Sequence, residues 1–150
     1  MKGKRKNSRQ TAIDVADRLH SIAIHLLRQM RKQDVATREA PARLSALSVL
    51  VFAGPVTLGQ LAAAEQVKPP TMTRIVTGLE RSGLAERLRD AEDARRLRIC
   101  ATRKGARLLQ KARQRRIGDL AARLDSLAEK ELRVLNESVE VLDKIVRKWK

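Results

Sequence analysis

The amino-acid sequence predicts a mainly α-helical fold with one small β-hairpin. Three observations carry that expectation. Apolar residues recur at three- and four-residue intervals through most of the 150-residue chain, the period of amphipathic helices. One short segment instead alternates, with Leu97, Ile99 and Ala101 on one side and Arg98 and Cys100 on the other, the period of a half-buried strand. Capping signals, glycines and prolines cut the helical pattern into short pieces.

Residues 1–10, MKGKRKNSRQ, hold five positive charges and no acid, and are expected to form a disordered basic arm. Thr11 and Asp14 form a capping pair for the first helix. Its stripe Ile13, Ala16, Leu19, Ala23, Leu26 and Met30 assigns residues 11–40 to one long amphipathic element. Pro41 is expected in the break that follows. Ser45 is placed to cap a second helix, LSALSVLVFA, stopped by Gly54-Pro55.

Thr57 and Gln60 form a capping box ahead of Leu61-Ala62-Ala63-Ala64, a short third helix. Pro69-Pro70 opens the fourth helix, which runs to about Ser82 with Gly83 as its terminator and Met72, Ile75, Val76 and Leu79 as its buried face. Two strands, 84–89 and 97–101, flank a polar turn at 90–96. Thr102 caps a long helix that runs through Gly118, and Ser126 with Glu129 opens the last one. There Leu132, Leu135, Val139, Leu142, Val146 and Trp149 fall at spacings of 3, 4, 3, 4 and 3, a seam that must pack on other helices.

Composition narrows the function. With 33 Lys plus Arg against 17 Asp plus Glu, the formal net charge is +16. That favours a polyanionic partner, nucleic acid ahead of an acidic membrane surface. Phe52 and Trp149 are the only aromatic side chains besides histidine, which excludes recognition by stacking bases on several rings. The charge is local: residues 81–116 carry +9 and residues 1–10 carry +5, while residues 117–150 balance to zero.

A lone Cys100 cannot form an intramolecular disulfide, which fits a reducing cytoplasm. No apolar run suggests a membrane span, and no apolar core follows the basic N-terminus as a secretory signal would require. His20 and His25 lie about 140° apart on a helix and do not make a metal pair. No phosphate-cradling glycine loop, HExxH or GxSxG is present. The expectation is a protein without catalysis, metal or cofactor.

A short helix, a tight turn, a second helix and a basic hairpin form the winged helix-turn-helix order, in which the second helix enters the major groove. Residues 44–105 are therefore expected to form the DNA-binding lobe, and 106–150 a linking helix and a terminal one. Lys68, Pro70, Thr71, Thr73, Arg74 and Thr77 mark the start and outward side of the second helix of that pair. Arg74 is the candidate for reading guanine, since its planar fork fits O6 and N7. Arg89, Arg95, Arg96 and Arg98 are candidate contacts on the hairpin, where a protruding arginine can enter a narrow minor groove. Asp93 could hold the wing by accepting from Arg95 or Arg98. Arg103 and Lys104 stand in the first turn of a helix, where positive charge is unfavourable unless a DNA backbone lies alongside.

These residues resemble the MarR-type transcriptional regulators, including the SlyA-like branch. VTLGQLAAAEQVKPPTMTRIVTGLERSGLAER is similar to the family's helix-turn-helix, RDAEDARRLRI to its wing, and Asp93-x-Arg95 followed by Thr102-x-x-Gly105 to its wing-to-helix signature. Ala101, Lys68 and Ala94 depart from the family's usual residues. The resemblance implies Arg95 in the minor groove and Thr71 and Arg74 in the major groove. It also implies a homodimer with interlaced terminal helices, and a small-molecule effector in a cleft between those helices and the DNA-binding lobe.

The apolar stripes agree with a dimer: Leu19, Ala23 and Leu26 on the first helix and the Leu132–Trp149 seam on the last are too apolar to face water. The alternative is packing of the two helices within one chain. His20 and Arg28 are candidate cleft groups, with no effector identifiable. Cys100 would lie on the outward face of the wing strand near Arg98 and Arg103, which would lower its pKa, but an incidental cysteine is the expectation. The expected function is a sequence-specific regulator, a repressor, binding pseudo-palindromic duplex DNA as a homodimer; the alternative is a nonspecific nucleic-acid-coating protein.

Overall fold

The computed structural model describes residues 2–90 and 96–149. Among these the chain forms helices α1 (Lys2–Arg31), α2 (Pro41–Ala53), α3 (Leu58–Ala64), α4 (Pro69–Arg81), α5 (Arg103–Leu124) and α6 (Glu129–Arg147). A 3₁₀ segment, Lys32–Thr37, links α1 to α2, and strands β1 (Ala85–Arg89) and β2 (Leu97–Ala101) follow α4. The architecture is mainly helical with one hairpin.

The N-terminal arm is a correction. α1 begins at Lys2, so helix runs through the decapeptide expected to be disordered, and Thr11 lies inside it instead of capping it. Lys, Arg and Gln are good helix formers and no proline interrupts them. At its other end α1 stops at Arg31, and Arg38 in the left-handed region (φ 57°) closes the 3₁₀ segment with its N–H on the Val35 carbonyl.

Pro41 does not sit in a break; it opens α2 at the first helical position. The N–H that proline lacks would be unpaired there anyway. Ser45 consequently lies a turn inside the helix rather than at its cap. Gly54, at φ 80°, ends α2. The Thr57–Gln60 box is formed in full: the Gln60 N–H donates to the Thr57 hydroxyl at 3.2 Å and the Thr57 N–H to Gln60 Oε1 at 2.9 Å. α4 starts at Pro69 and is terminated by Gly83 at φ 68°.

One core joins these pieces. Leu47 of α2, Leu61 of α3, Met72, Val76 and Leu79 of α4, Leu84 just before β1, and Ile99 of β2 are almost fully sealed, and Leu109 of α5 packs against them. Each such side chain contributes roughly 1.5–3 kcal/mol of burial. β1 and β2 are antiparallel, with Ala85 opposite Ala101, Arg87 opposite Ile99 and Arg89 opposite Leu97. Leu97, expected to face inward, is exposed: the strand outruns the core and only Ile99 is fully covered. Val56 adds a single bridge on the far side of β2, exchanging two backbone hydrogen bonds with Ile99 at 2.8 and 3.1 Å.

Thr102 ties the hairpin to α5. Its hydroxyl donates to the Gly83 carbonyl at 2.7 Å and accepts from the Gly105 N–H at 3.1 Å. The start of α6 departs from expectation. Ala128 flanks the helix and donates its N–H to the Glu131 carboxylate at 2.9 Å. Ser126 instead donates its hydroxyl to the Arg123 carbonyl at 2.8 Å, finishing α5.

Contacts divide the chain into two units, Met1–Arg116 and Ile117–Lys150, with α5 passing from one into the other. In the second unit no residue of α6 is buried. Leu132, Leu135, Val139 and Val146 stand exposed, Leu142 half-buried and Trp149 80% exposed. In the first unit Leu19 of α1 is half-buried and Ala23 and Leu26 are exposed. No helix among the described residues is long and apolar enough to cross a membrane.

Candidate nucleic-acid interface

α3 and α4 meet through a four-residue turn that Gln66 makes possible by adopting φ 53°. Val67 N–H closes it on the Ala62 carbonyl at 3.0 Å. One face of α4 is fixed in the core by Met72, Val76 and Leu79, with Ile75 half-buried. Helical spacing then puts Pro70, Arg74, Thr77 and Arg81 in a row on the opposite side. Arg74 is exposed and forms no ion pair among the described residues.

Lys68, Pro70, Thr71 and Thr73 are exposed around the same end, and Thr77 is half-buried. Thr73 donates its hydroxyl proton to the Pro69 carbonyl at 3.0 Å. Arg81, which the sequence left unassigned, belongs to this row; the periodicity that placed Arg74 would have found it. Behind the row, Glu80 holds Arg87 of β1 at 3.4 Å, linking α4 to the hairpin.

The wing is built differently from expectation. Asp93 and Arg95 lie outside the described residues. Among the residues described, the acid that shapes the hairpin is Asp90, whose side chain is nearly wholly buried. Arg98 donates through Nε to Asp90 Oδ2 and through Nη1 to the Pro55 carbonyl at 3.4 Å. The Asp90 N–H reaches the Arg96 carbonyl at 2.9 Å across the mouth of the turn. Arg98 therefore braces the wing with its guanidinium, while Arg89 and Arg96 stand exposed beside it.

Lys104 also has an internal partner. Its ammonium donates to the Ser82 carbonyl at 2.7 Å, at the C-terminal end of α4, where positive charge is favourable. The Cys100 thiol faces Glu86 across the hairpin, with Sγ 3.9 Å from Oε1. Burial, then the Glu86 charge and hydrogen bond, push its pKa up, opposite to the lowering expected from Arg98 and Arg103. His20 and Arg28 are exposed on α1. No group of three or more His, Cys, Asp or Glu positioned for a metal occurs among the described residues.

The MarR family profile matches residues 41–97, the stretch holding α2, the helix pair and most of the hairpin. Over a longer stretch the chain is 32% identical to an HTH-type transcriptional regulator of Mycobacterium bovis, across 128 residues that make up 85% of this chain and 90% of that protein. The chain belongs to the MarR family. Solved structures agree with this MarR assignment. A MarR family protein from Bacillus stearothermophilus superposes with a TM-score of 0.78 at 28% identity, covering 93% of this chain and 97% of that one. A transcriptional regulator from Thermotoga maritima shares the fold with a TM-score of 0.79 at 24% identity, covering 89% and 94%. As a MarR-family winged helix-turn-helix protein, the chain is a transcriptional regulator.

Proposed function

We propose that this MarR-family protein is a cytoplasmic repressor that reads a pseudo-palindromic duplex site as a homodimer. The observation that carries the reading is the outward row of α4, where Arg74 projects without an acidic partner from a helix anchored by Met72, Val76 and Leu79. Thr71 and Arg74 read base edges from the N-terminal half of α4, while Lys68, Arg89, Arg95 and Arg96 hold phosphates and the minor groove. Arg98 acts indirectly, by holding the wing through Asp90. The apolar seam of α6 and the stripe on α1 supply the surface for a second copy, and a two-fold protein presents two reading helices to half-sites one helical turn apart.

The test is competition between an operator selected from a random pool and random duplex at fixed salt. Arg74→Ala is expected to weaken operator binding by about 1–3 kcal/mol and to leave random-duplex binding unchanged. Equal weakening on both would remove the base-reading role. A flat selected pool with a steep salt slope would mark a nonspecific coating protein instead.

A further inference from the structure

Gly78 lies in the interior of α4, between Thr77 and Leu79. Glycine is less favourable than alanine inside a helix, so its place there needs a reason. Backbone conformation does not supply one, since among the described residues only Gly54 and Gly83 are glycines at positive φ. Space does. A Cβ at Gly78 would stand 2.5–2.6 Å from Nε, Cζ and Nη2 of Arg43, which reaches over from the first turn of α2. Gly78 is buried, and the guanidinium takes the room its side chain would need. Arg43 is held in turn: its Nη1 donates to Glu39 Oε2 at 3.1 Å, and the Glu39 side chain is only 10% exposed. The Glu39 N–H donates to the hydroxyl of the buried Thr37 at 3.2 Å.

The place of this contact on α4 matters. By the angular step of a helix, Gly78 lies within about 40° of Arg74 and about 20° of Thr71. The guanidinium therefore flanks the strip that carries both candidates for base reading. On the inner side, α2 and α4 are spaced by Leu47 and Leu50 against Met72 and Val76 of the shared core. On the outer side, Arg43 against Gly78 is the spacer. A bidentate base contact depends on the aim of its helix, whereas phosphate contacts carry no sequence information. A small shift of α4 would thus cost the first kind of contact more than the second.

We propose that Arg43 is a positioning residue for base recognition: seated on Gly78 and held by Glu39, its guanidinium sets the spacing of α2 and α4 and thereby the aim of Arg74. Arg43 acts through α4, with its charge engaged by Glu39 rather than by DNA. The role rests on the DNA-binding reading. Lysine would not substitute, because a compact ammonium on a flexible stem lacks the planar fork that covers the glycine.

The test compares Gly78→Ala, Arg43→Lys and the double variant on a selected operator and on random duplex at fixed salt, with the urea midpoint of each. Gly78→Ala adds a methyl beneath the guanidinium, and Arg43→Lys keeps a positive charge beside Glu39 while removing the fork. Each single change is expected to weaken operator binding about tenfold, the lower part of what one bidentate base contact discriminates. Random-duplex binding and the urea midpoint are expected to stay near wild type. In the double variant the methyl meets no fork, so the loss is expected to be smaller than the product of the two single losses. Wild-type operator affinity in either single variant overturns the role. An equal loss on random duplex makes Arg43 a phosphate contact and overturns it too. Losses that multiply in the double variant separate Arg43 from Gly78, and a urea midpoint that falls in step with operator binding marks a merely structural part; either result ends the proposal. A wild type without operator preference removes base reading itself and this role with it, whereas a preference that survives the variants removes the role alone.

Discussion

At Gly105 the chain has no room for a side chain. A Cβ there would overlap the Leu84 carbonyl oxygen and press on Leu47 Cδ1, so α5 can approach the start of β1 only through glycine. Thr102 fixes the same junction from the other side by bonding Gly83 and Gly105 together. The Thr-x-x-Gly spacing is thus one device, a cap and a close approach on the same helical turn. Gly105→Ala is expected to destabilise the fold by about 1–3 kcal/mol, read from the urea midpoint, because the obstructing atom is backbone and cannot rotate away. Gly78 offers a contrast. The atoms nearest a Cβ there belong to the guanidinium of Arg43, the far end of a flexible side chain.

Among elements, the wing carries the sharpest division of labour. Its shape depends on the buried Asp90 holding Arg98, and on Arg98 reaching the Pro55 carbonyl. Asp90→Ala is expected to cost about 1.5–3 kcal/mol of stability, the range for hydrogen bonds to charged groups. It should lower affinity for random duplex as well as for operator, since a displaced wing loses phosphate contacts along with the minor-groove contact. The competition assay that shows Arg74→Ala to spare random duplex should show Asp90→Ala to weaken it; unchanged binding of random duplex would remove the wing from the phosphate contacts.

The same contrast explains what the sequence revealed. α3 and α4 were legible because their signals are local: the Thr57–Gln60 box, Pro69-Pro70 and Gly83 each act within one turn. Arg74 followed from the helical period once Met72, Val76 and Leu79 were placed inward. The Asp90–Arg98 brace was not legible, because it is set by register and by Pro55, 43 residues from Arg98. Val56 makes a bridge of one residue, too short to have a period. The beginnings of α2 and α6 were misplaced because Ser45 and Ser126 look like caps, whereas Ala40 and Ala128 lead into those helices without side-chain oxygens.

For the whole molecule, charge and apolar surface occupy different stretches of chain. The positive excess is concentrated in 1–10 and 81–116, and residues 117–150 are neutral overall. On α6, Val134, Val141 and Ile145 extend the Leu132–Val146 seam to about half the helix circumference, broader than a two-helix seam needs. Such a face accommodates two neighbouring helices at once, the expectation for interlaced copies. Val139, 54% exposed in the single chain, tests this at low risk to the fold. Val139→Glu would bury an unpaired charge in the dimer at a cost of several kcal/mol. Sedimentation equilibrium is expected to read twice the chain mass for the wild type and the single-chain mass for the variant, with helix content retained. A wild type of single-chain mass would end the dimer reading.

Trp149 gives that assembly an optical signature. The chain has one indole and no tyrosine. The indole sits immediately beyond α6 and is 80% exposed in the single chain, at the end of the seam. Nearly all of the intrinsic ultraviolet emission therefore originates from one point, and a blue shift on concentrating the unlabelled protein would record water leaving that point.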